Sequence, residues 1–501
     1  MIVRDYLEKQ AIQRPNKVAI LFKDEKITFS DLNTFSNRLA NRLLKVGVKK
    51  GDRIVLLFQN CPEFSVAYFA ILKIGAIAVL LDFRLSPAEM EPIFQDAEVS
   101  AIITNIRKKV FIDHVLKTVP TLQHVVVTGA EGEDITDWHS YEETIEKESS
   151  EKISIPLQEE DECLCLYTSG TTGRSKGVVL TNDHLTYFPE TLRHAVQISE
   201  QDTHGLVLPI SHITGPCILN LMVECGMSVS IIDEMKPKKI LDAVQNHRIT
   251  FFFASPPIFQ LILNIPHWER YDCSGLRAIA MMGTVVPEQL MKEFGERYPN
   301  LQPLRGYGAT ETSPLLTHTH LKDGPQKMAS DGKAAPRVEL KIIDQDGKEV
   351  EVGQIGEIIA RGPQIMKGYF KDPEATAKKV KDGWYHSGDL GRFDEDGYLY
   401  VLGRADDMVI SGGLNVYPSE VETVLLNHPK VQEAAVVGVP DAKRGQVIKA
   451  IVVLKHGETA TRQEILYFCK KRLASFKMPR QLEFKDSLPK SSTGKIAKRQ
   501  L

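Results

Sequence analysis

The apolar positions of this chain repeat with two different periods, and the places where one gives way to the other predict its elements. Val3 to Arg14 carries one spaced apolar face and stops before Pro15, which predicts an amphipathic helix. Val18 to Phe22 and Lys26 to Phe29, separated by Lys23-Asp24-Glu25, predict a hairpin, and Ser30 is placed to cap the helix that follows. Strand and helix then alternate: Arg53 to Phe58, Pro62 to Ile74, Ala76 to Leu81, Pro87 to Asp96 and Ala101 to Thr104. That rhythm builds a parallel sheet covered by helices on both faces. Residues 130 to 160 are acidic and poor in apolar positions, so an exposed connection is expected there.

The rhythm resumes with a buried strand at Cys163 to Leu166 that ends in a loop. It continues through a helix over His184 to Val196, strands over Gly205 to Pro209 and Met227 to Ile232, and a helix over Pro237 to His247. Strands over Thr250 to Phe253 and Leu276 to Met282 and a helix from Pro287 to Tyr298 complete the series. From Glu339 the pattern shortens to β segments punctuated by Asp346-Gly347 and Glu395-Asp396-Gly397, which predicts a smaller β subdomain. Past Gly403 to Gly413, a helix over Ser419 to Asn427, strands over Val431 to Val439 and Lys449 to Leu454, and a helix over Arg462 to Leu473 form a compact α+β unit. The expected class is therefore α/β: a large N-terminal domain of parallel-rich sheets with a small β subdomain, residues 1–404, followed by an α+β C-terminal domain, residues 405–501.

Composition narrows the partners. With 501 residues, 43% hydrophobic and 25% charged, the chain is an ordinary globular sequence long enough for more than one domain. A formal net charge of −3 provides no basic surface for nucleic acid. The charge is uneven: residues 406 to 501 hold 16 Lys/Arg against 10 Asp/Glu, leaving a net of −9 on the first 405. Seven scattered cysteines without paired ligand spacing predict free, buried thiols in a reducing cytoplasm. MIVRDYLEKQ has no signal-peptide pattern, and the apolar stretch Phe64 to Leu81 is interrupted by Lys73 and Gly75, so it reads as helix, turn and strand rather than a membrane span.

The candidate chemistry begins at Tyr167 to Val178, YTSGTTGRSKGV. Gly170, Gly173 and Gly177 free the backbone, so that amide N–H groups can converge. Thr168, Ser169, Thr171, Thr172 and Ser175 add hydroxyls, and Lys176 adds a mobile charge. Together they describe an oxyanion cradle, though not a Walker loop, because Lys176 precedes a glycine and the spacing differs from GxxxxGK[ST].

This stretch resembles the signature loop of the adenylate-forming superfamily, which includes acyl-CoA synthetases, aryl-CoA ligases, peptide-synthetase adenylation domains and beetle luciferases. Further segments resemble the family's motifs in order: Pro209 to His212, Gly306 to Glu311 (GYGATE), Trp384 to Gly391 (WYHSGDLG), Gly403 to Asp407 and Pro489 to Lys495 (PKSSTGK). The resemblance spans nearly the whole chain. It implies ATP, Mg2+ and CoA as ligands, with Thr168, Ser169, Gly170, Thr171, Thr172 and Lys176 on the β- and γ-phosphates. It implies further that Tyr307 and Gly308 lie at the adenine, Thr310 at the α-phosphate, Glu311 on the metal and Asp389 on the ribose hydroxyls, in a tight Ser-Gly-Asp-Leu-Gly turn. Arg404 would contact ribose and phosphate, Asp406 would be the hinge of a mobile lid, and Lys495 would reach the α-phosphate and the carboxylate as charge develops. Lys498 and Arg499 are expected to be solvated neighbours.

His212 matches a position at the acyl-pocket wall, and Gly412 and Gly413 resemble the loop lining the pantetheine passage. One segment departs from the family. Many relatives have a Gly-Gly-Ala-type turn before a proline, whereas this chain reads Met281-Met282-Gly283-Thr284-Val285-Val286-Pro287, so only Gly283 and Pro287 carry over. Ala254, Ser255, Pro256 and the apolar run Ile258 to Ile262 are expected to line or back the acyl site and favour an apolar acid. The expected reaction is ATP-dependent activation of a carboxylic acid, a medium- or long-chain fatty acid, through an acyl-AMP to a CoA thioester. The alternative is a stand-alone adenylation enzyme loading a phosphopantetheine carrier protein. A homodimer is the oligomer considered.

Overall fold

The computed structural model describes residues 1–169, 175–281, 286, 288–298, 301–320, 322–323, 327, 329–411, 414–441, 444–490 and 496–501. Two large sheets carry the first domain. The seven-stranded sheet runs, edge to edge, through Gln302–Leu304, Ala278–Met281, Phe251–Ala254, Thr203–Leu206, Ser228–Ile231, Val18–Phe22 and Glu25–Thr28. Its neighbours are parallel except the terminal hairpin. The eight-stranded sheet runs through Gly368–Tyr369, Ser175–Thr181, Glu162–Ser169, Ile77–Asp82, Arg53–Phe58, Ala101–Asn105, His124–Thr128 and His139–Ser140. It is parallel from Glu162–Ser169 onward and antiparallel at the other edge.

Alternate residues of each parallel strand enter different cores, as a two-residue period requires. Ile54 and Leu56 face a core shared by both sheets, while Val55 and Leu57 face helices Pro87–Asp96 and Lys109–Thr118 on the far side. The shared core holds helices Val3–Gln13, Phe29–Lys45, Pro62–Ile74, Asn182–Val196 and Thr214–Cys225 between the sheets. Helix Pro62–Ile74 is buried on nearly every side, so its apolar run shows no single face. It ends at Gly75, whose φ of 70° permits the turn into Ile77–Asp82. The expected helix, turn and strand are therefore present, and no helix among the described residues is long and apolar enough to cross a membrane.

Four local expectations need correction. The cap of helix Phe29–Lys45 is Thr28, not Ser30: the Thr28 hydroxyl accepts from Asp31 N and the Asp31 carboxylate accepts from Thr28 N. The segment 130–160 is more than an exposed connection, because it contributes strand His139–Ser140 and helix Tyr141–Lys147, whose Tyr141 is buried. Thr214–Cys225 is a helix that the apolar pattern left unassigned. The signature stretch is a hairpin rather than a loop after a strand, since Thr168 pairs with Lys176 and Ser169 with Ser175.

The β subdomain is antiparallel. A three-stranded sheet joins Gly306–Tyr307, Thr317–His318 and Lys333–Ala334. A five-stranded one joins Glu339–Ile343, Gly356–Arg361, Trp384–Phe393 and Val380–Lys381, with Leu399–Arg404 paired to Trp384–Phe393. After the short turn Ala405–Asp407, the C-terminal unit forms its own sheet and its own core around Val416, Val421, Leu425, Ile448 and Ile465. Helices Pro418–Leu426 and Arg462–Lys470 cover it, and strand Gln481–Phe484 adds a parallel edge.

Candidate functional site

The signature hairpin places the first candidate residues. Thr168 and Ser169 end one strand and Ser175 and Lys176 begin the next, while Gly170, Thr171, Thr172 and Gly173 lie outside the described residues. Gly177 has a different role from the one expected. It lies within the return strand, where a Cβ would stand 2.7 Å from Cys165 Sγ and 3.1 Å from the Tyr167 ring, so glycine is required there by close packing. Tyr167 in turn donates to Asp96 Oδ2 at 2.7 Å.

Edge strand Gly368–Tyr369 pairs with this return strand, bringing Tyr369 beneath Lys176, whose Nζ is 5.2 Å from the ring centroid. The Tyr369 hydroxyl donates to Glu311 Oε1 at 3.0 Å. Glu311 lies with Thr310 in the short turn Thr310–Thr312, and its carbonyl accepts from Met366 N at 2.8 Å. Ahead of this turn Gly308 passes so close to Pro314 that a Cβ would meet its carbonyl oxygen at 1.9 Å, and no larger residue fits.

A second chain of bonds starts at Tyr307, whose hydroxyl donates to Asp389 Oδ2 at 2.6 Å. Asp389 and Arg404 are opposite partners on antiparallel strands, and Arg404 Nη1 is 3.3 Å from Asp389 Oδ1. The Arg404 guanidinium also donates to the Ser387 carbonyl at 3.1 Å. Asp389 does not lie in a tight turn, as the sequence suggested. It belongs to strand Trp384–Phe393, in which Gly388 at φ 73° produces a local irregularity that points Asp389 at Arg404, and Ser387 Oγ accepts from Asp389 N at 2.9 Å.

Charge and burial reinforce each other across these groups. Burial, then the Asp389 carboxylate, pushes the Tyr307 hydroxyl well above its usual range. Burial and then Glu311 do the same to Tyr369 and Tyr385. All three phenols are thus held as donors. Burial opposes the charge on Arg404, but Asp389, Tyr385, Tyr307 and Asp406 together more than offset it, and its affinity for the proton rises. Lys379 is pulled below the ordinary lysine value by burial and then by Arg404, while its Nζ donates to the His386 and Ser387 carbonyls at 3.0 and 2.9 Å. Tyr369, Tyr385 and Lys379 are residues that the sequence reading missed. Tyr369 meets Glu311 across 58 positions of chain, a separation that no local spacing reveals.

His212 is positioned by a different device. It follows strand Thr203–Leu206, with its N–H donating to the Pro209 carbonyl at 2.9 Å and its Nδ1 3.1 Å from Thr214 Oγ1. Asn60 fixes this loop: its Nδ2 donates to the Leu208 and Ile232 carbonyls at 3.0 and 2.9 Å, and its Oδ1 accepts from Ile210 N at 2.7 Å. Ala254 is buried at the end of its strand, Ser255 is the N-cap of helix Pro256–Leu263, and Phe259 packs inward on Phe252 and Phe294. Phe259 therefore backs this region rather than lining it.

Gly283 and Pro287 lie outside the described residues, as do Gly412, Gly413 and Lys495. Lys490 and Ile496 form an antiparallel bridge on either side of the 491–495 segment. Lys498 is not a solvated neighbour: its Nζ pairs with Glu422 Oε1 at 2.7 Å, and that carboxylate is 7% exposed. The seven cysteines are all free, and burial pushes the thiols of Cys163, Cys165 and Cys217 upward, which makes them inert packing groups.

Comparison with known proteins fits this geometry. Residues 7–370 match the family model of the AMP-binding enzyme, and residues 420–495 match that of the AMP-binding enzyme C-terminal domain. The chain is 32% identical to the long-chain-fatty-acid–CoA ligase of Bacillus subtilis (strain 168), covering 100% of this chain and 94% of that protein. It is 33% identical to the feruloyl-CoA synthase of an Amycolatopsis species, covering 98% and 96%. Among solved structures, the anthranilate CoA ligase AuaEII in complex with anthranoyl-AMP superposes with a TM-score of 0.93 at 28% identity, over 100% of this chain and 96% of that one. Joined from the signature hairpin to the C-terminal unit by fold, motif order and full-length similarity, the chain belongs to the AMP-binding enzymes of the adenylate-forming superfamily, as an AMP-forming acid–CoA ligase.

Proposed function

We propose that the chain activates an apolar carboxylic acid, a medium- or long-chain fatty acid, and transfers it to CoA. The observation that carries the reading is the bonded pair of networks, Tyr307–Asp389–Arg404 and Lys176–Tyr369–Glu311, which sets aromatic, carboxylate and cationic groups side by side at the junction of hairpin and β subdomain. In the first half-reaction a carboxylate oxygen attacks the ATP α-phosphorus, the bond to the β-phosphate oxygen breaks, and pyrophosphate leaves. In the second the CoA sulfur attacks the acyl carbonyl, and AMP leaves with the bonding pair.

In this reading Tyr307 and Gly308, with Gly283, take the adenine face, and Asp389 and Arg404 take the ribose. Thr310 takes the α-phosphate, and Thr168, Ser169, Gly170, Thr171, Thr172 and Lys176 take the outer phosphates. Glu311 and Thr310 offer a carboxylate and a hydroxyl, an all-oxygen donor set that suits Mg2+. The cation, when bound, neutralises phosphate charge. Lys495 supplies charge at the α-phosphate, His212 borders the acid, and Gly412 and Gly413 leave room for pantetheine. We set the domain boundary at residues 404 and 405, with Asp406, exposed in its short turn, absorbing the lid's rotation between half-reactions. Seven free thiols suit a cytoplasmic enzyme.

An apolar acid is preferred to a charged one because the segment from Ala254 to Leu263 has an apolar helix with no charged side chain, and a fatty acid is the apolar acid we propose. The test is thioester and AMP formation from ATP, Mg2+ and CoA with short, medium, long-chain and aryl acids. Highest kcat/KM with a medium or long aliphatic acid is expected. Preference for an aryl acid would overturn the acid assignment, and adenylate formation without any transfer to CoA would overturn the acceptor.

A further inference from the structure

Away from the groups just described, three imidazoles from two parts of the chain converge. His194 occupies the last turn of helix Asn182–Val196, His318 ends strand Thr317–His318, and His320 lies two residues further on. Their ligand nitrogens all lie within 4.8 Å of one another, and His320 Nε2 is 3.0 Å from His194 Nδ1. Ring centroids are 4.4 to 5.5 Å apart, with the planes steeply inclined rather than stacked.

Three packed histidines could be only structural, but buried polar nitrogens are normally satisfied, and one here is not. His318 is 5% exposed, and its Nδ1 lies 3.3 Å from the Thr319 carbonyl oxygen, which makes Nδ1 the protonated donor. Its Nε2 is then a lone pair, buried and without a hydrogen-bond partner among the described residues. A carbonyl holding the far nitrogen while the near one is left open is the tautomer arrangement of a metal-ligating histidine. His320 is fixed from behind: Asp323 Oδ2 accepts from its backbone N–H at 2.8 Å, while Asp323 Oδ1 accepts from the Tyr398 hydroxyl at 2.8 Å.

We propose that His194, His318 and His320 form a binding site for one divalent transition cation of the Zn2+ type, with its fourth position open on the exposed His194 side. Neighbouring ligand nitrogens in a tetrahedral zinc site stand about 3.3 Å apart, so the group closes on a cation by small side-chain rotations. Imidazole nitrogens are the right donors for Zn2+ and wrong for Mg2+, which separates this site chemically from Glu311.

The location gives the site a structural consequence. Helix Asn182–Val196 begins where the return strand of the signature hairpin ends, and His318 is the cross-strand partner of Gly306, beside the Thr317–Tyr307 pair. Adjacent strand residues face opposite ways, so a cation here ties the helix to the reverse face of the strand that carries Tyr307.

The test uses the full, tag-free chain, stripped by chelator and titrated with Zn2+ without ATP, acid or CoA, so its outcome is independent of the ligase reading. One equivalent is expected to bind, with affinity falling at least about tenfold in either His194→Ala or His320→Ala. Co2+ is expected to give tetrahedral visible bands that both variants lose. His194 and His320 lie outside the core, and a thermal melt checks that each variant is folded. Failure of the parent chain to take up a stoichiometric equivalent, or variants that bind as the parent does, would overturn the proposal.

Discussion

Strand Arg53–Phe58 and strand Trp384–Phe393 are the two extremes of this molecule. The first is parallel on both sides, and Ile54, Val55, Leu56 and Leu57 are each 0% exposed. The second is antiparallel, half-buried along most of its length, and carries His386, Ser387 and Asp389, each bonded to a neighbour. A strand covered on both faces by helices has no place for a charge that lacks a partner, so it can only support. A strand with one open face can hold carboxylate and guanidinium together where a ligand can reach them. Support and candidate chemistry are thus assigned to different strands: the covered interior strands support, while the half-open strand Trp384–Phe393 and the antiparallel edge of the eight-stranded sheet carry the candidate groups.

The comparison breaks most sharply at Asp389. Asp389→Ala removes the acceptor shared by Tyr307 and Arg404, and adenylation is expected to fall by about 10³-fold, roughly 4 kcal/mol of transition-state stabilisation. The melting temperature should change little, and a loss of folding with unchanged specific activity would reverse the assignment. Leu56→Ala is the reciprocal substitution. It leaves a cavity between the two large sheets and should cost about 3 kcal/mol in denaturant unfolding, while kcat of the folded fraction is kept.

His204 sharpens the same contrast through pH. It is 1% exposed in the seven-stranded sheet, its ring 4.7 and 4.9 Å from those of Phe251 and Phe253, and neither nitrogen has a hydrogen-bond partner among the described residues. Burial lowers it from 6.5 to about 3. Between those values the unfolded chain binds the extra proton, so stability is present above about pH 6.5 and is lost as pH falls, at about 1.4 kcal/mol per pH unit. His204→Phe should remove one proton from that acid slope, measured as unfolding free energy against pH. The smallest effect separates two capping residues. Thr28→Ala should cost about 1 kcal/mol and Ser30→Ala less than about 0.5, because only Thr28 bonds the Asp31 amide.

These residues also show what the sequence reveals. The parallel strands were legible because burial on both faces imposes unbroken apolar runs, and the helix Pro62–Ile74 because Pro62 and Gly75 mark its ends. The Ser30 cap failed because two candidate hydroxyls stand two residues apart and only backbone geometry chooses between them. Helix Thr214–Cys225 was missed although its Pro216 lies in the first turn, where proline is tolerated, and its Gly215 is held by packing, since a Cβ there would stand 2.0 Å from the Ile210 carbonyl oxygen. Candidate residues carried by an ordered motif, such as Tyr307, Glu311, Asp389 and Arg404, could be named from the sequence. Their partners Tyr369 and Lys379, and the histidine group, depend on which strands the fold sets side by side, which no local pattern encodes.

The central claim is that activation precedes and is separable from transfer, and acid-dependent exchange of labelled pyrophosphate into ATP, measured without CoA, tests it most directly. Exchange that requires both Mg2+ and the acid, and that disappears in Asp389→Ala, is the predicted result. Release of ADP and phosphate, or exchange that proceeds only when CoA is present, would contradict it.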